Sequence, residues 1–168
     1  MTVLVDEALS GNISGRNAIC ENESTTLNAT AYDASTYTWK ESGNVIAQSG
    51  VVTVKPATTT TYEVDMTRGK CSASDSYQVE VTTNPVIVSV DSVGIRDRQV
   101  ITETGKGTAP FEIWVDENVA SASVDDIFYG LTFTTHIAHI KDINGCQATY
   151  QFFIEPPKIT IPEFFSPN

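Results

Sequence analysis

The chain has 168 residues, 40% of them hydrophobic, which is enough for packed cores in one domain or two small ones. Its 21 acidic residues against 10 basic ones give a net charge of −11. That field repels phosphate backbones, and no basic stripe reverses it locally, so nucleic acid is excluded as a partner.

In chain order, residues 1–16 are short on pattern and rich in Gly, Ser and Asn, and they read as a linker or a residual strand. The first module covers residues 17–84. Leu27, Ala29 and Ala31 alternate with Thr26, Asn28 and Thr30, the two-residue period of a half-buried strand. Tyr37 and Trp39 share one face of the next strand. A turn at Ser42, Gly43 and Asn44 leads to short apolar runs at 45–46 and 51–54, before Pro56. Residues 58–66 place Tyr62 and Val64 on one face, a turn follows at 68–70, and Tyr77, Val79 and Val81 alternate up to Thr83. Six or seven short strands with turn signals between them, and no helical periodicity, predict a β-sandwich of immunoglobulin type.

Asn84-Pro85 marks the expected boundary, since the residue before proline is held extended. The second module covers residues 85–157. Val86, Val88 and Val90 alternate first, and strands are expected over 99–104, 111–115, 134–141 and 147–154, with 124–128 ambiguous. Asn144-Gly145 is a hairpin signal, because both residues tolerate positive φ. Pro156-Pro157 cannot donate to a ladder and ends the module. The fold class expected is therefore all-β: two tandem Ig-like antiparallel β-sandwich modules. At roughly 80 residues each, such modules bury only about 60% of their unfolded surface and are individually marginal.

Side chains that could carry chemistry are few. His136 and His139, three apart on a strand, face opposite sides of the sheet and cannot share a metal; His136 falls in register with core-facing Ala138 and Ile140. No G-x-S-x-G turn or comparable nucleophile signature occurs, so no enzyme is expected. The acidic pairs Asp116-Glu117 and Asp125-Asp126 read as solvated loop charge. Calcium is the alternative, although EF-hand spacing is absent, and no cofactor or metal site is otherwise expected. Trp114, three residues from Phe111, points to the opposite face. It either packs on a neighbouring module or offers a stacking platform to a glycan or protein, with Asp116, Asp125 and Asp126 nearby. In the last eleven residues, 158–168, Ile161, Phe164 and Phe165 form an apolar patch too short for a domain, which needs a partner surface.

Three resemblances sharpen these expectations. Gly107-Thr108-Ala109-Pro110-Phe111, followed by Lys141-Asp142-Ile143-Asn144-Gly145-Cys146, resembles the repeat module of SprB-type gliding-motility adhesins. Ile161-Pro162-Glu163-Phe164-Phe165-Ser166-Pro167-Asn168 resembles the opening of the gliding-type C-terminal sorting domain carried by type IX secretion substrates of Gram-negative bacteria. Residues 18–81 look like bacterial Ig-like surface repeats, whose tryptophan packs the core and whose cysteines often bridge, which implies a Cys20–Cys71 disulfide. The repeat family's early partner for the cysteine after Asn-Gly is missing here, so Cys146 is expected as a free thiol. The resemblances imply a non-enzymatic stalk of an extracellular, cell-surface adhesin. Its partners would be outer-membrane secretion and anchoring proteins, with surface polysaccharide or service as a spacer in a secreted hydrolase as the alternatives. Residues 1–6 lack the features of a signal peptide, and no run reaches the roughly 18 apolar residues of a membrane span, so the chain is expected to be an internal piece of its parent.

Overall fold

Single residues with no room for a side chain set where the first strand lies. A Cβ at Gly11 would meet Met66 Cε at 2.2 Å, so a side chain there would have to displace the end of the buried Met66. In the computed structural model, which describes residues 8–34, 36–92, 98–103, 106–117 and 127–156, the chain divides into two compact units, Met1–Thr83 and Asn84–Asn168.

In the first unit, β1 (Gly11–Ser14), β3 (Thr25–Ala31) and β6 (Val51–Val54) form one sheet in the order β1-β3-β6. The other is five-stranded, β2-β8-β7-β4-β5, built from β2 (Ala18–Cys20), β4 (Thr36–Glu41), β5 (Asn44–Ala47), β7 (Thr60–Arg68) and β8 (Cys71–Thr82). All pairings are antiparallel except β2 with β8. Strand β1 lies in the stretch whose sequence reads as linker or residual strand. Only Ile13 of its four residues is buried, so no periodicity announces it. It is held instead by pairing with β3 and by Ile13 N donating to Asp75 Oδ2 at 3.0 Å, while Tyr77 Oη donates to Gly15 O at 2.6 Å.

The core of this unit is Trp39, Leu27, Val64, Met66 and Val79, all fully enclosed. Trp39 sits where the two-residue period of β4 points inward, and its Nε1 donates to Ser49 O at 2.9 Å, so the one polar atom of the ring is satisfied. Ser42 and Gly43 adopt φ of 48° and 80°, turning β4 tightly into β5.

The implied Cys20–Cys71 bridge does not form. Cys20 pairs with Thr82 at the far end of β8, whereas Cys71 opens that strand opposite Arg68. Eleven steps of about 3.3 Å separate the two ends by about 36 Å, against the about 4–7 Å between Cα atoms that a disulfide demands.

In the second unit, β9 (Ile87–Ser92), β10 (Arg98–Glu103) and β12 (Ile127–Tyr129) make a sheet in the order β12-β10-β9. The other sheet, β11-β13-β14, comprises β11 (Glu112–Val115), β13 (Thr135–Lys141) and β14 (Gln147–Phe153). Ile87, Ile113, Val115, Phe128, Ala138 and Ile140 fill the core. The expected Val86-Val88-Val90 alternation is interrupted. Thr102 pairs with Ser89 but Glu103 with Ile87, so Val88 is the extra residue of a bulge and stays exposed while Ile87 and Val90 both reach the core. No helix occurs among the described residues, so none is long and apolar enough to cross a membrane.

Each unit is thus an Ig-like β-sandwich of two sheets. Trp39→Ala should cost the first unit about 3–5 kcal/mol, most of what a marginal module has, seen as loss of its denaturant transition. Non-reducing peptide mapping should find no Cys20–Cys71 cross-link.

Candidate functional site

Among the described residues of the second unit, the buried polar side chains, His136 and Asp142, lie in or directly beside one sheet, β11-β13-β14. At its core edge lies Asp142, only 3% exposed, directly after β13. Its Oδ2 accepts from Thr108 N at 3.1 Å and its Oδ1 from Cys146 N at 2.8 Å. Asp142 N donates to Cys146 O, Gly145 N to Asp142 O, and Ile143 N to Thr108 O. One carboxylate therefore ties the 107–111 segment to the 142–146 hairpin, the two halves of the motif that carries the repeat resemblance. Gly107 has φ +79° and a Cβ there would meet Pro85 at 3.0 Å, and Gly145 has φ +86° in the hairpin, so both glycines are steric requirements of this clasp.

A second tie lies at the end of β11. Asp116 adopts φ 56°, a left-handed conformation that aspartate tolerates better than most residues, and this swings its carboxylate back over β13. Oδ1 accepts from Ile137 N at 3.0 Å, Asp116 N donates to Ile137 O, and Oδ2 lies 2.8 Å from His136 Nδ1. His136 is buried, in the core-facing register that the sequence predicts, tilted against Phe152 with ring centroids 5.6 Å apart. Its Nε2 lies 2.9 Å from Thr132 O. Both ring nitrogens thus face acceptors, and only the imidazolium donates to both.

Burial opposes the charge on His136, but the Asp116 hydrogen bond, the Thr132 carbonyl and the Asp116 charge outweigh it and hold its pKa above the usual histidine value. Burial likewise pushes the Asp116 carboxyl up, while the Ile137 amide, the His136 hydrogen bond and the charges of His136 and His139 draw it below the usual carboxylate range.

On the outward face of the same sheet, Trp114 is half-buried and stacks on His139 directly across the strand pair, with ring centroids 5.0 Å apart and planes 2° from parallel. The two histidines indeed face opposite sides. Ile137 and Phe153 are exposed on the Trp114 face, and Glu112 Oε2 lies 3.5 Å from Lys141 Nζ, an exposed pair worth at most about 1 kcal/mol.

Of the residues singled out from sequence, Trp114 is on this open face, while Asp116 spends both oxygens inside the unit and is not presented as a loop ligand. Asp125, Asp126, Ile161, Phe164 and Phe165 lie outside the described residues. Among the described residues, no three His, Cys, Asp or Glu side chains are grouped to hold a metal ion. Cys146, expected as a free thiol, is disulfide-bonded, as is Cys20, and its residue is 1% exposed. Sequence reasoning missed Asp142 and the His136–Asp116 pair as structural ties. Asp142 could have been suspected from its place one residue past a core-facing strand, where an acidic side chain is buried only if it is paired.

No protein-family profile matches the chain, and no curated protein sequence does either. Solved structures do resemble it in fold. The C-terminal 282-residue fragment of intimin, solved in complex with the intimin-binding domain of the translocated intimin receptor, is 13% identical with a TM-score of 0.60; the match covers 89% of this chain and 64% of that fragment. The I67–I69 fragment of the titin I-band is 12% identical with a TM-score of 0.47, covering 90% of this chain and 66% of that one. The human desmocollin-1 ectodomain is 14% identical with a TM-score of 0.34, over 87% and 36%. The intimin likeness agrees with the Ig-like architecture of the units and speaks to fold alone.

The imidazolium geometry has a pH consequence. A raised histidine pKa contributes stability that is fully present below the unfolded value of about 6.5 and is lost as pH rises through the folded value. The lowered Asp116 pKa contributes stability that is present above the ordinary carboxylate value and is lost as pH falls through its folded value. The denaturant midpoint of the second unit should therefore be highest in mildly acidic buffer and decline into the alkaline range, with the alkaline decline absent in His136→Gln.

Proposed function

We propose that this chain is a non-enzymatic stalk section of a large cell-surface protein, exported by the type IX secretion system and positioned ahead of its C-terminal sorting domain, where it serves adhesion or gliding. The observation that carries the reading is the Asp142 clasp. The two separated segments that resemble the SprB-type repeat meet through one carboxylate, as expected if they were kept together for architecture.

Chemistry points the same way. Thr25, His136 and Asp142 are the buried polar side chains among the described residues, and each is hydrogen-bonded within the fold. A catalytic site needs a base aimed at a substrate, and these groups are aimed at backbone or, for His136, also at Asp116. Disulfide-bonded cysteines suit an oxidising, extracellular setting. In this reading Ile161, Phe164 and Phe165 deliver the tail to an outer-membrane secretion or anchoring partner.

The test is surface labelling of the source bacterium with antibody raised against this chain. Intact cells should be labelled, and labelling should disappear in a strain lacking the type IX outer-membrane translocon. Labelling confined to lysed cells, or unchanged in that strain, would overturn the proposal.

A further inference from the structure

Trp114 does nothing for the core. Ile113 and Val115, its neighbours on β11, point inward and are buried, while the indole stands on the opposite face. The chain's other tryptophan shows what a structural one looks like here: Trp39 is fully enclosed and its ring nitrogen is satisfied.

The register gives that outward face an ordered layout. Trp114 pairs with His139, and His139 with Thr149, so one rung of side chains crosses all three strands. The rungs on either side end in exposed Gln147 and Gln151, opposite Lys141 and Ile137 respectively. Neighbouring rungs on one face are about 6.8 Å apart and strands about 4.8 Å apart, so the platform is wider than an indole ring in both directions.

Strand β11 is an edge of its sheet. The imidazole stacks on one indole face, and no further strand follows β11 on that side of the sheet among the described residues.

We propose that this face is a binding site for a neutral polysaccharide. A sugar presents C–H bonds to the electron-rich face of an aromatic ring and hydroxyls to amide and hydroxyl side chains, which accept and donate in one plane. Trp114 on His139 supplies the first, and Thr149, Gln147 and Gln151 the second. Charge selects against acidic polymers. Glu112 and Lys141 offset one another at 3.5 Å, and the chain as a whole carries −11. The proposal does not rest on the stalk reading, since a ligand face of this kind would serve any extracellular protein.

The full chain titrated with dextran, mannan and a β-glucan, with polygalacturonate for comparison, tests this by calorimetry and tryptophan fluorescence. Because Trp39 is fully enclosed, a ligand-induced change in emission reports Trp114. Expected are binding to at least one neutral polymer, a shifted emission, and affinity weaker by about tenfold or more in Trp114→Ala, with a smaller loss in Gln151→Ala. The denaturant midpoint of each variant checks folding. Should Trp114→Ala unfold the unit, His139→Ala and Gln151→Ala remain as readouts. The proposal is overturned if no neutral polymer binds, if polygalacturonate is preferred, or if affinity survives both Trp114→Ala and Gln151→Ala. Trp114-dependent self-association in sedimentation would also overturn it, because a second copy would then be the occupant.

Discussion

A carboxylate hidden from water must find donors or lose its charge, and in the second unit Asp142 finds two backbone amides from separate segments. Everything near it follows from that pairing. Thr108 is fixed, so Phe111 enters β11 in the phase that turns Ile113 and Val115 inward and Trp114 outward. Cys146 is fixed, so β14 begins with Gln147 opposite Lys141 and keeps its exposed residues on the Trp114 face. A clasp of this kind is costly to break and cheap to keep, because each unsatisfied buried group costs about 1–3 kcal/mol while each satisfied bond contributes about 1.

The same economy separates the two faces of the sheet. The buried polar groups of this sheet among the described residues are engaged, His136 between Asp116 and Thr132 and Asp142 between Thr108 and Cys146. Outward ones are left for solvent or a ligand. A stalk needs the first arrangement, since modules of this size survive on small margins, and an adhesin can use the second. The two histidines show how sharply one strand divides these roles, His136 acting as an internal tie and His139 as half of an external ring stack.

Much of the architecture was legible from alternation. The strands at 25–31, 51–54 and 147–153 carry clear two-residue periods, and turns such as Ser42-Gly43 and Asn144-Gly145 announce themselves through residues that accept positive φ. Strand β1 was not, because a single buried Ile13 has no period and its hold comes from distant Asp75 and β3. The bulge at Val88 was hidden for a related reason, since an extra residue reverses the phase without changing composition. The cysteines misled most. Two cysteines in one module look like partners in sequence, yet strand length alone separates Cys20 from Cys71. Of the candidate site, Trp114 was visible from its parity with Phe111, whereas the Asp116 turn depends on a left-handed residue that no periodicity signals.

The measurement closest to the central claim is amide hydrogen exchange at Thr108 and Cys146 in the wild-type chain and in Asp142→Ala. If the clasp holds the second unit together, both amides exchange slowly in the wild type. Both should then lose protection together in the variant, with about 2–4 kcal/mol less stability for that unit. Unchanged protection at Thr108 and Cys146, or a stability loss below about 0.5 kcal/mol, would contradict the account and leave the repeat motif without its physical explanation.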